Sequence, residues 1–210
     1  ITEYLTYLAN RMVDVMEHDF VLVSPHTLFV IAAGNDGTNN DVLPTSPANV
    51  RLDNAITVAA TLQNKQLASF SNYGEGHVDI AAPGVGILST IPGNDHLFLS
   101  GTSQATPAIT NLAGRILDEN PNLAPSEVKR ILMETVDHHA WLEGKVKSAG
   151  TANVSRAVFA AKESRSMTVT SAILSAMAKV GPESVDGPSS LTGPVDGKNV
   201  YVLPLPSLIQ

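Results

Sequence analysis

Three short apolar runs, each ended by a turn or a polar stretch, constrain this chain more than any other feature of it. Leu28 to Ala33 stops abruptly at Gly34-Asn35-Asp36-Gly37, Ile56 to Ala60 gives way to a polar segment, and Val78 to Ala82 ends at Pro83-Gly84. Runs of this length without polar alternation read as strands buried on both faces, as parallel sheets require. Phe20 to Val23 is a further short apolar run, separated from the first by Ser24-Pro25-His26.

Helical spacing surrounds these runs. Ile1, Leu5, Leu8, Met12, Val15 and Met16 recur every three to four residues, which predicts an amphipathic helix with one buried face, ending near His18. Ile109, Leu112, Ile116 and Leu117 share a face of a second helix, whose small residues Ala105, Ala108, Ala113 and Gly114 permit close packing. A third opens at Pro125, with Glu127 favourably placed for the helix dipole and Val128, Ile131, Leu132 and Thr135 on one side. Helices alternating with buried strands predict an α/β fold, a largely parallel sheet with helices on both faces. The character changes near Glu163. Met167 to Val180 is compatible with one more helix, Gly181 to Gly197 reads as linker, and an apolar run follows from Val200. The expected division is a core portion over residues 1–162 and an extension of unknown role over 163–210.

Composition narrows the function classes. The 210 residues are 43% hydrophobic and 16% charged, enough for a sizeable core. A formal charge of −7 and no basic cluster argue against nucleic acid as a partner. No apolar run approaches the roughly 18 residues of a membrane span, so no membrane partner is expected. The absence of cysteine removes disulfides and thiol chemistry. The sequence opens at Ile1 rather than an initiator Met, so any targeting segment would lie upstream.

The chemistry concentrates at Ser103. A hydroxyl nucleophile needs an exposed Ser at a turn, donors aimed at the developing oxyanion, and a base. Ser103 in Gly101-Thr102-Ser103-Gln104-Ala105-Thr106-Pro107 stands where a helix begins, beside unpaired N–H groups and the positive end of the helix dipole. An N-cap Ser occupies such a position equally well. Asn35 ends a buried run, where ligands gather in parallel sheets, and a left-handed turn residue is the ordinary alternative there.

Read together, Phe29-Val30-Ile31-Ala32-Ala33-Gly34-Asn35-Asp36-Gly37, Ser69-Phe70-Ser71-Asn72-Tyr73-Gly74, Val78-Asp79-Ile80-Ala81-Ala82-Pro83-Gly84 and the block around Ser103 resemble the subtilisin-like (subtilase) serine proteases in identity, order and spacing. The resemblance covers roughly Ile1 to Ala161. It implies an endopeptidase acting through an acyl-enzyme on peptide or protein substrates, outside the cytoplasm. Ser103 would attack the scissile carbonyl, with the Asn35 side-chain amide and the Ser103 N–H as oxyanion donors. Ala32, Ala33, Gly34 and Thr102 would contribute to substrate binding, and Val42 to closing the pocket wall. Gln104 and Ala108 depart from the residues usual in the family.

The base is not recognisable. In this family the triad runs Asp, His, Ser, so both partners should precede Ser103. None of His18, His26, His77, His96, His138 and His139 is followed by Gly-Thr. Asp36, Asp41 and Asp79 read as turn and loop carboxylates. The expectation is the C-terminal half of a catalytic domain, with the N-terminal part of the fold missing, the upstream half as partner, and little activity alone. Self-association through an unpaired sheet edge is expected. A non-catalytic module used in binding or assembly is the alternative. No cofactor is required by this reading; the resemblance allows a structural calcium, for which Asp36, Asn39, Asn40 and Asp41 offer several oxygens in one loop, although clustered Asn and Asp are also ordinary turn chemistry.

Overall fold

The computed structural model describes residues 2–183 and 200–202. Helix α1 (Thr2–Met16) is followed by strands β1 (Phe29–Ala32), β2 (Ala55–Thr61) and β3 (Ile80–Pro83), then by a hairpin of β4 (Ile87–Ile91) and β5 (Asp95–Leu99). Helices α2 (Thr102–Glu119) and α3 (Pro125–Glu134), the two-residue strands β6 (Asp137–His138) and β7 (Gly150–Thr151), helices α4 (Val154–Glu163) and α5 (Val169–Lys179), and β8 (Val200–Val202) complete it. The main sheet has the order β1-β2-β3-β7-β6, parallel except for β6.

Alternation along the strands sorts the two faces. Val30, Ile56, Val58, Ala60, Ile80 and Ala82 face α2, whose Ala105, Ile109, Leu112, Ala113 and Ile116 lie across three strands. Val128, Ile131 and Leu132 of α3, Ala157, Ala160 and Ala161 of α4, and Ile173 and Ala176 of α5 close the same core. Leu117, expected on the buried side of α2, is exposed, and Ala105 and Ala113 take the contacts. On the opposite face Phe29, Ile31 and Ala55 meet Val13 and Met16 of α1, while Ala59 and Ala81 meet Leu142 and Val146.

The α/β architecture with helices on both faces is as the sequence predicts, but its wiring differs. The β1–β2 and β2–β3 connections, residues 33–54 and 62–79, contain no helix. Helices reach the sheet from before β1 and after β5. Phe20 to Val23 is not a strand: the chain leaves α1 through one wide helical turn, Glu17–Val21, in which Leu22 N–H donates to Glu17 O at 2.9 Å. The β4–β5 hairpin was not anticipated. Its turn at Gly93 (φ +90) and Asn94 (φ +66) uses residues that tolerate left-handed backbone.

The largest departure is on α1. Leu5, Leu8, Met12 and Val15, predicted to be buried, are exposed. The helix is held to the sheet by Val13 and Met16 instead. The residues after 183 that read as linker lie outside those described, except that Val200–Val202 pairs in parallel with β5.

Candidate active site

Helix α2 begins against the sheet because two glycines permit it. Gly101 N–H donates to Gly84 O at 2.8 Å, and Gly84 N–H to Thr61 O at 3.0 Å, so the turn before the helix is tied to the ends of β2 and β3. A Cβ on Gly84 would stand 2.7 Å from both the Gly101 carbonyl and the Ala60 Cβ. Side-chain bulk there would push the helix start off the sheet.

Ser103 is the second residue of α2, exposed at its N-terminus. The N-cap is Gly101, with no side-chain cap, so Ser103 does not serve as a cap. The Gln104 and Ala105 N–H groups both turn back to Gly101 O. Neither the Ser103 hydroxyl nor its N–H has a partner among the described residues. An uncommitted hydroxyl, a free N–H and the positive helix end therefore coincide.

Asn35 reaches this point from the loop after β1. It is Gly34, at φ +111, that takes the left-handed backbone, so Asn35 is not the turn residue of the ordinary alternative. Its Oδ1 accepts from Thr102 N–H at 2.8 Å and from the Thr102 hydroxyl at 3.0 Å. Because a backbone N–H can only donate, this fixes which amide atom faces Thr102. Nδ2 is left with no partner among the described residues. Gly34 N–H donates to Thr102 Oγ1 at 3.3 Å, so the hydroxyl proton is directed at Asn35.

The Ser69–Gly74 block is the scaffold beneath. Ser71 Oγ accepts from Ala60 N–H at 2.9 Å and donates to Asn72 O, filling a gap in the β2 ladder. Asn72 Oδ1 accepts from Asp36 and Thr38 N–H, and its Nδ2 donates to Asn40 Oδ1. Asn40 Nδ2 in turn donates to Ala33 O. The sequence marked this block without revealing that its polar side chains are internal braces. Asp79 is another such brace: buried, it accepts from Thr57 N–H at 2.9 Å and pairs with Lys129 at 3.3 Å.

A groove of about 630 Å³ runs along the outer flank of α2, lined by Ala32, Ser103, Thr106, Pro107, Thr110 and Asn111. Of the residues expected to bind substrate, Ala32 lines this groove, Gly34 is half-buried, and Ala33 and Thr102 are fully buried. Thr102 turns inward and holds Asn35. Val42, expected to close a pocket wall, is 68% exposed and does not line the groove.

The histidines lie elsewhere. His18 Nδ1 contacts Asp14 O, His77 Nδ1 contacts Asp41 at 2.7 Å, and His96 is paired in β5 opposite Thr90. His139 stacks on Trp141 with ring centroids 4.8 Å apart, and its Nε2 meets Thr151. Burial holds the His139 pKa below its ordinary 6.5, with Asp137 opposing and Lys65 and His138 reinforcing the shift. No histidine or carboxylate among the described residues bonds Ser103. The oxygens of the 36–41 loop do not converge on a cation. Asn39 Oδ1 accepts from Asp41 N–H, Asn40 Oδ1 accepts from Asn72 and Thr45, and Asp41 is engaged by His77 and Gly76 N–H.

The known proteins similar to this chain are proteases. The chain is 42% identical over 108 residues to alkaline elastase YaB of Bacillus sp. (strain YaB), covering 51% of this chain and 27% of the relative. It is 41% identical over 108 residues to subtilisin Savinase of Lederbergia lenta, covering 51% and 38%, and 40% identical over 112 residues to the cell wall-associated protease of Bacillus subtilis (strain 168), covering 53% and 12%. A solved protease of Pseudoalteromonas arctica PAMC 21717 superposes with a TM-score of 0.56 at 30% identity, over 65% of this chain and 43% of that one. A cold-adapted subtilisin-like serine proteinase gives 0.50 at 35% identity, over 60% and 43%. The chain thus spans well under half the length of these relatives. Residues 7–172 match the pattern of the Subtilase family, and the chain belongs to that family of serine proteases.

Proposed function

We propose that this chain is the nucleophile-bearing portion of a serine endopeptidase that cleaves peptide or protein substrates through an acyl-enzyme on Ser103. The observation that carries the reading is the double hydrogen bond from Thr102 to Asn35 Oδ1, which leaves Nδ2 as a donor beside an exposed Ser with a free N–H. Ser103 Oγ attacks the scissile carbonyl while a base takes its proton. Asn35 Nδ2 and Ser103 N–H receive the oxygen that becomes negative. The proton then passes to the leaving amine, and water attacks the ester by the same route in reverse. Ala32 supplies small-residue surface on the substrate side, next to half-buried Gly34.

The base and its orienting carboxylate come, in this reading, from the remainder of the domain. Two surfaces suit that remainder. β1 is an edge of the sheet and, among the described residues, pairs on one side alone, so its other side offers N–H and C=O groups to a further strand. Exposed Leu5, Leu8, Met12 and Val15 repeat at alternating steps of three and four, the seam of one helix packing along another. No cofactor enters the mechanism. An extracytoplasmic location is supported by the cell wall-associated relative.

The test is active-site labelling of the protein carrying its whole catalytic domain. A fluorophosphonate should modify Ser103, and Ser103→Ala should abolish both labelling and peptide hydrolysis. A folded, full-domain protein that resists the reagent would refute the reading in favour of a non-catalytic module. This chain alone should retain, at most, the residual rate of about 10³–10⁴ over water that oxyanion donors and binding supply without a triad.

A further inference from the structure

We propose that Asn72 is a positioning residue for the oxyanion donor: the loop carrying Asn35 is wound around its side chain. The inference rests on the reading of Asn35 as that donor. Asn72 is fully buried, and its hydrogen-bonding groups are spent on the segment that flanks Asn35. Its backbone N–H donates to Gly34 O at 2.9 Å, one residue before Asn35. Its Oδ1 accepts from Asp36 N–H at 2.9 Å, one residue after, and from Thr38 N–H at 3.2 Å. Its Nδ2 donates at 3.0 Å to Asn40 Oδ1, and Asn40 closes the circuit by donating to Ala33 O.

The orientation of the Asn72 amide is chemically determined, since two backbone N–H groups require the oxygen on their side. The loop is also shaped to it. Gly34 lies at φ +111, and a Cβ there would overlap the Asn72 amide. Backbone is therefore anchored on both sides of Asn35, leaving the Asn35 side-chain torsions as the remaining freedom. Thr102 fixes those. An oxyanion donor acts only when held about 2.7–3.1 Å from the oxygen it serves, and displacements on the order of 1 Å cost about 10² in rate.

Removing the Asn72 amide leaves the Asp36 and Thr38 N–H groups without their acceptor, and the loop relaxes toward solvent. Asn72→Asp keeps an acceptor oxygen for both N–H groups but sets its second carboxyl oxygen against Asn40 Oδ1, where the amide donated.

The experiment uses the protein with its full catalytic domain. In Asn72→Ala, kcat should fall by at least about tenfold with KM little changed, toward the roughly 10²–10³ measured for losing the oxyanion Asn in subtilisin itself. Asn72→Asp, which restores the acceptor but not the donor, should recover part of that loss. Ile131→Ala, a core change on α3 remote from the loop, should lower the melting temperature and leave kcat unaltered. In parallel, the side-chain amide resonances of Asn35, assigned by their disappearance in Asn35→Asp, should shift or broaden in Asn72→Ala and hold in Ile131→Ala. Unmoved Asn35 resonances in Asn72→Ala, or a kcat effect no larger than that of Ile131→Ala, would overturn the proposal. If the wild-type protein fails to label at Ser103, it is the proposed function that falls, and the Asn35 resonances alone decide whether Asn72 positions the loop.

Discussion

Gly84 links the sheet to the start of α2 and to Ser103 more directly than any side chain does. Its hydrogen passes between the Ala60 Cβ and the Gly101 carbonyl, each 2.7 Å from where a Cβ would stand, with the Ala105 Cβ at 3.2 Å. Two of these neighbours belong to the strand and helix cores and cannot swing aside. Gly84→Ala should therefore cost about 1–3 kcal/mol through overpacking, and in the full-domain protein it should slow labelling of Ser103 more than the lost stability explains. Denaturant midpoints and labelling rates on the same samples give both quantities. A stable variant that labels at the wild-type rate would mean the helix start is not set by this contact. The placement of Ser103 at a helix start, of Asn35 after a buried strand and of the Pro83-Gly84 turn was legible in the sequence, because each sits in a short motif whose residue types are themselves the signal. The roles of Thr102, Ser71 and Asn72 were not. A hydroxyl or amide facing inward to brace a loop has the same letter as one facing solvent, and only the fold decides which way it turns.

Among the elements, α4 shows how the chain after α3 is locked. Arg156, buried on α4, reaches Asp137 at 3.2 Å, donates to Val136 O at 2.7 Å, and donates through Nε to Val180 O at 3.0 Å. Asn153 caps the helix by accepting from Arg156 N–H at 2.8 Å and donates to Asp137 at 3.0 Å. Glu183 then covers the Val154 N–H and donates its own N–H to Asp137. Replacing Arg156 by Met keeps most of the stem's packing but takes the counter-charge from buried Asp137, which keeps its Asn153 and Glu183 donors, and takes a donor from the Thr135, Val136 and Val180 carbonyls. The expected loss is about 3–5 kcal/mol, read from chemical denaturation. A loss near that of a surface substitution would show the network is dispensable. α4 itself had a visible start in Asn153, whereas the network did not, since its partners are separated by 16 to 46 residues. The β4–β5 hairpin went unread although Pro92-Gly93-Asn94 marks its turn. The run from Phe20 to Val23 misled in the other direction, because periodicity over four residues cannot separate a strand from the end of a helix.

At the scale of the whole molecule the two edges of the sheet differ. One edge is the two-residue antiparallel strand β6, and the other is β1, which among the described residues pairs only with β2. Its four residues are only half-buried, whereas all seven of β2 are buried. Next to β1 stands the exposed stripe of α1. The isolated chain should self-associate in a concentration-dependent way, and Leu8→Glu should weaken that association with little effect on the stability of the chain, since Leu8 is already exposed. Analytical sedimentation of both proteins measures this. A monomer at all concentrations would contradict it. The sequence foresaw the apolar stripe but placed it inside, because spacing identifies a face that wants a partner without saying whether the same chain provides one.

The way α2 lies across β1, β2 and β3 also bears on when a working site can exist. Those strands are joined by long helix-free connections, and the Asn35–Thr102 contact closes a loop of 67 residues. Loop-closure entropy of this kind is met before the packing that rewards it. Local collapse of the serine segment therefore yields a helix without Asn35 against it, and the Asn35–Thr102 contact arrives together with the assembled sheet.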